Sequence, residues 1–133
     1  MYLRVGDVFD WPAVYPCARI VLRESRSCAY ASAVSAFRPL LRLDVPEALI
    51  VASPLYRAST IGHNGSESRR YVDAVATLLR ERLRVTVLLD RDADCDLLTL
   101  AGATHLATYR RGKFALLAQK MAWRLGGHVY QLS

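Results

Sequence analysis

The chain has 133 residues, 53% of them hydrophobic and 23% charged, a length that suits one domain and a composition that excludes a disordered polymer. Its longest apolar runs, residues 48–52 and 85–89, are strand-length and fall far short of the roughly 20 residues of a membrane span, so no transmembrane segment is predicted. Lys and Arg number 18 against 12 acids, a formal charge of +6, but the basic residues form no tail and no long run, which argues against a nucleic-acid-binding arm.

In chain order, residues 2–5 read as a short strand ending at Gly6-Asp7. Asp10-Trp11-Pro12 and Tyr15-Pro16 punctuate a loop, and a helix is predicted between residues 18 and 37, closed by Pro39, because the residue before a proline avoids the α region. Residues 48–52 (Ala-Leu-Ile-Val-Ala) read as a buried strand and residues 53–65 as a long polar loop. Asn64-Gly65-Ser66 matches a glycosylation acceptor but reads better as a turn into the next helix.

Ser66 is a cap for that helix and Glu67 suits its dipole. Val72, Val75, Leu79 and Leu83 share one helical face, so the helix is expected to run to Leu83. Residues 85–89 form the next strand. The acidic loop Asp90-Arg91-Asp92-Ala93-Asp94 leads to a short helix over residues 96–101, then a strand over 104–108. Phe114, Leu117, Ala118, Met121 and Leu125 recur at helical spacing up to Gly126-Gly127. Residues 128–132 are the last strand.

Strands alternating with crossover helices predict an α/β fold. The expected architecture is a single Rossmann-like three-layer unit, residues 1–133, with a mainly parallel sheet of about five strands. Ligands of such sheets sit beyond the carboxyl ends of the strands, which places the candidate site at Gly6-Asp7 and at residues 53–65, 90–96 and 108–113.

Those loops carry the informative side chains. In Arg4-Val5-Gly6-Asp7, an arginine fork suits a diphosphate, the glycine permits a tight turn, and the aspartate can fix either. Asp96 is a carboxylate near a helix start; capping and a hydrogen-bonding role toward a guanine edge both fit it. Tyr109-Arg110-Arg111-Gly112-Lys113 precedes a helix whose N-terminus attracts phosphate, although a solvated basic turn fits as well. His63 and His105 lack acidic or thiol partners at ligand spacing, and His105 reads as a core residue. Cys17, Cys28 and Cys95 form no CxxC pair; a Cys17–Cys28 bridge stays open. No P-loop or dinucleotide fingerprint is present.

Together the order Arg-x-Gly-Asp-Val-Phe, Tyr-Pro, Asp-Leu-Leu-x-Leu-Ala-x-Ala-x-His-Leu and Gly-x-Phe-Ala-x-Leu-Ala resembles the GDP-fucose-dependent fucosyltransferases of the GT-B type. The similarity is to their C-terminal nucleotide-sugar-binding half and runs from Tyr2 to about Tyr130. It implies that Arg4 holds the donor β-phosphate and is the catalytic arginine. It implies donor-binding roles for Arg4, Gly6, Asp7, Asp96, Arg110, Arg111, Gly112, Lys113 and Phe114. Two departures stand out. Tyr2 occupies the place of the family's histidine, and Arg110 to Phe114 lack the family's phosphate-binding hydroxyls.

The resemblance further implies a metal-independent reaction with no cofactor, a GDP-sugar donor and a glycan or protein acceptor. It also implies a partner half or a second copy to complete the cleft, and a secretory setting if the chain belongs to a longer protein. No signal-peptide pattern follows Met1. Two other readings stay open: a catalytically inactive nucleotide- or protein-binding module, and a basic α/β domain binding nucleic acid.

Overall fold

The computed structural model of the chain describes residues 1–3, 34–56, 58–62, 64–109 and 112–132. Their elements are β1 (Tyr2–Leu3), a 3-10 helix (Arg38–Arg42), β2 (Glu47–Ala52), α1 (Ala58–Ile61), α2 (Ser66–Leu79), β3 (Arg84–Leu89), α3 (Ala93–Ala101), β4 (His105–Tyr109), α4 (Lys113–Arg124) and β5 (His128–Leu132). The chain is thus mixed α/β with parallel strands, as the alternation of periods predicts.

Two parallel ladders carry most of the strand pairing. β2 and β3 run in register from Glu47↔Arg84 to Ala52↔Leu89, and β4 and β5 from His105↔His128 to Tyr109↔Leu132. The two-residue β1 joins them, pairing Tyr2 with Val51 on one side and with Thr108 on the other. The resulting order is β3-β2-β1-β4-β5, and it reverses direction between β1 and β4. Met1 extends the junction: its carbonyl accepts from the Val51 N–H at 2.9 Å, and its amino group donates to Leu49 O at 2.8 Å.

Successive strand residues point to opposite faces, and both faces are packed. Ile50 and Ala52 join Tyr71, Val72, Val75 and Leu79 of α2 and Leu40 of the 3-10 helix. Val51 instead joins Leu100 of α3, Leu106 of β4, and Ala118 and Ala122 of α4. Val72 and Val75 are fully buried, and each such side chain contributes about 1.5–3 kcal/mol of transfer free energy. On α4 the inner stripe is Ala115, Ala118 and Ala122, small side chains that let the helix sit close to the sheet.

Local boundaries depart from the sequence expectations for identifiable reasons. Helical residues 34–35 end ahead of Pro39 as expected, but Pro39 itself lies in the first turn of a further 3-10 helix, where a missing N–H costs nothing. The loop over 53–65 is not wholly irregular, since it contains α1. Ser66 is the first residue of α2 rather than its cap. Gly65 takes that place with φ +70°, and Asn64 Oδ1 accepts from the Ser66 N–H at 3.1 Å. A β-carbon at Gly65 would stand 2.8 Å from Pro54 O, so the approach of the two loops requires glycine.

α2 ends at Leu79, and Leu83 is buried from the turn beyond it. α3 begins at Ala93, three residues before the expected start, because Asp92 caps it. The strand expected over residues 2–5 is described as far as Leu3, and the helix expected over 18–37 lies largely outside the described residues.

Candidate functional site

At the carboxyl end of β3 the rim of the sheet is built around three aspartates, Asp90, Asp92 and Asp96. Asp90 follows β3 with φ +52°, the left-handed region that Asp tolerates better than most side chains. Its backbone N–H donates to Ala52 O at 3.0 Å. Its Oδ1 accepts from the Leu55 N–H at 2.9 Å, and Oδ2 lies 3.7 Å from Arg69 Nη2. One residue therefore ties the turn after β2 to the end of β3 and to α2.

Asp92 caps α3, its Oδ1 accepting from the Asp94 N–H at 2.9 Å and the Cys95 N–H at 3.4 Å. Asp96 sits inside the helix, so the capping role considered for it belongs to Asp92. Asp96 is 3% exposed, and its Oδ1 accepts from Arg91 Nε at 2.9 Å. Arg91 Nη2 donates to Thr99 Oγ1 at 2.9 Å, and the Thr99 hydroxyl donates to Cys95 O at 2.8 Å. The guanidinium is thus spread along α3 between Asp96 and Thr99. Nothing in the local sequence marked Arg91 as the partner, although a five-residue spacing to Asp96 across a cap is within an arginine's reach.

α4 opens at Gly112, with φ +113° and no side-chain cap. Lys113 is exposed, Phe114 is partly buried against the cluster of Val51 and Leu106, and the first turn holds no acid. A lysine at a helix N-terminus opposes the dipole, an arrangement that an anion relieves. Among the predicted site residues, Asp96, Gly112, Lys113 and Phe114 thus lie on the elements that follow β3 and β4. Arg4, Gly6, Asp7, Arg110 and Arg111 lie outside the described residues, as do Cys17, Cys28 and His63.

At the opposite, amino end of the strands a cavity of about 400 Å³ is lined by Met1, Leu49, Leu83, Leu100, His105 and Tyr130 among others. His105 is only partly buried there, which corrects its reading as a core residue. Cys95 is an exposed free thiol. Among the described residues, no group of three or more His, Cys, Asp and Glu is placed to hold a metal ion, and no helix is long and apolar enough to cross a membrane. No protein family, curated protein or solved structure matches this chain.

Proposed function

We propose that this domain binds a nucleoside diphosphate sugar of the GDP-fucose type at the carboxyl ends of β1 and β4, as the donor half of a fucosyltransferase-like glycosyltransferase. The observation that carries the reading is the strand order. With β1 and β4 adjacent and the order reversing between them, their carboxyl ends flank the crevice in which Rossmann-like, doubly wound sheets take nucleotides. Helices packed on both faces support the same three-layer architecture.

The sequence then supplies the charge. Arg4-Val5-Gly6-Asp7 follows β1 directly, and Arg110-Arg111-Gly112-Lys113 follows β4 directly. Positive side chains and the α4 N-terminus would hold the diphosphate and stabilise the charge it gains as it leaves. An acceptor hydroxyl would attack the anomeric carbon from a cleft completed by a partner half. The reading requires no metal for this charge stabilisation.

A second reading draws on Asp96. Its carboxylate is buried and engaged by Arg91, which favours a module that binds a nucleoside diphosphate without selecting guanine and without transferring sugar. GDP, UDP and ADP in thermal-shift titrations separate the two. Ligand at about 100 times its Kd stabilises the folded state by about 2.7 kcal/mol. A rise in Tm confined to GDP and GDP-fucose, lost in Arg4→Ala, supports the first reading, and an equal rise with all three supports the second. No rise with any of them sinks both, and salt-dependent RNA binding in its place points to the nucleic-acid reading.

A further inference from the structure

Two histidines open adjacent strands at the amino edge of the sheet, away from the rim described above. His105 begins β4 and His128 begins β5, and the parallel register sets them side by side. Their ring centroids are 5.2 Å apart with the planes tilted by 34°. Tyr130, two residues along β5 and on the same face, stacks on His105 at 6.0 Å and 9°. His105 Nδ1 lies 3.2 Å from Thr104 Oγ1. His128 is exposed and His105 half-buried, so solvent reaches the pair.

We propose that His105 and His128 together form a two-histidine site for a divalent transition-metal ion of the zinc class. The separation fits the coordination chemistry. A ring nitrogen about 2.0–2.1 Å from the metal places each ring centroid about 3.2 Å from it, and a tetrahedral angle then separates two centroids by about 5.2 Å. That is the spacing the strand register provides.

The surroundings suit such a site. The Thr104 hydroxyl, 3.2 Å from His105 Nδ1, is able to accept an Nδ1–H, and in that tautomer Nε2 is the coordinating nitrogen. The Tyr130 ring limits rotation of the imidazole. The donor set is imidazole nitrogen, which selects Zn²⁺, Ni²⁺ or Cu²⁺ over Mg²⁺ and Ca²⁺. Two protein ligands leave two positions of a tetrahedral ion for water or an external group.

The test is calorimetric titration of the metal-stripped 133-residue chain with zinc chloride. One equivalent binds, His105→Gln and His128→Gln each weaken it at least about tenfold, and the double variant abolishes it. His63→Gln and Cys95→Ser leave the affinity unchanged. NMR of the unsubstituted chain gives an independent reading: the ring signals of His105 and His128 shift together over the first equivalent, and those of His63 do not. Absence of binding at millimolar zinc, binding that survives in the double variant, or a shift confined to His63 overturns the proposal.

Discussion

Arg91 and Asp96 form an ion pair, Nε to Oδ1 at 2.9 Å, in which the carboxylate side chain is 4% exposed and the guanidinium 33%. The asymmetry matters. Removing the arginine strands a charge in a low-dielectric site, whereas removing the acid frees an arginine that solvent already reaches. Breaking a buried pair from one side costs about 3–5 kcal/mol, and partial exposure of Arg91 lowers the expectation for Arg91→Ala to about 2–4 kcal/mol. Urea denaturation measures this loss. Asp96→Asn keeps an acceptor for Arg91 and costs less. If Asp96 also reads a guanine edge, Asp96→Asn weakens GDP more than UDP; a purely structural role leaves their ratio unchanged.

Asp90 joins three elements through one side chain, and its backbone is in the left-handed region. Asp90→Ala loses the acceptor for the Leu55 N–H and keeps a β-carbon at unfavourable φ, an expected cost of about 1–2 kcal/mol. Asp90→Asn keeps the acceptor and tolerates the same φ, so its denaturation midpoint stays close to that of the parent. Asp90→Gly falls between them, because it relaxes the backbone while losing the hydrogen bond.

The acidic run after β3 shows where the sequence is legible and where it is not. The α/β alternation could be read because Val72, Val75 and Leu79 recur at helical period while residues 85–89 do not. The roles of Asp90, Asp92, Asp94 and Asp96 could not. All four are able to cap or to sit in a turn, and only the path of the chain makes Asp92 the cap and buries Asp96. His105 and His128 are far apart in sequence, and no local spacing signals that a parallel register will pair them. The arginines proposed for the donor, Arg4, Arg110 and Arg111, are legible only as charge near strand ends, since recognition of a diphosphate depends on where loops converge, which residue types alone do not fix.

The Met1 amino group offers a pH test. Burial lowers its pKa from 8.0 to about 5, because the charged form loses its solvation there. Between these values the unfolded chain binds a proton that the folded chain excludes. Stability of the 133-residue chain with a free amino terminus is therefore greatest above about pH 8 and falls as the pH drops toward 5, by at most about 4 kcal/mol. Below about pH 5 both states are protonated and this contribution flattens. Acetylation keeps an N–H for Leu49 O and removes the charge, so the difference in stability between free and acetylated chains should widen from pH 8 to pH 5. Parallel pH profiles for the two forms would refute the linkage.

Gly127 tests how closely the α4–β5 turn approaches the turn before β4. A β-carbon there would stand 2.5 Å from Ala103 O and 3.0 Å from Ala122 O. Both are backbone atoms, so no side-chain rotation relieves the clash. The Gly127 N–H also donates to Ala122 O at 2.8 Å, and any shift that makes room for a methyl group stretches that bond. Gly127→Ala should destabilise by about 1–3 kcal/mol. Gly126→Ala has open space around its β-carbon but a φ of +86°, so its cost is conformational and nearer 1 kcal/mol. The contrast is informative because His128 follows directly. A displaced turn would spoil the His105–His128 spacing in Gly127→Ala while leaving it intact in Gly126→Ala, which zinc titration of the two folded variants would read directly.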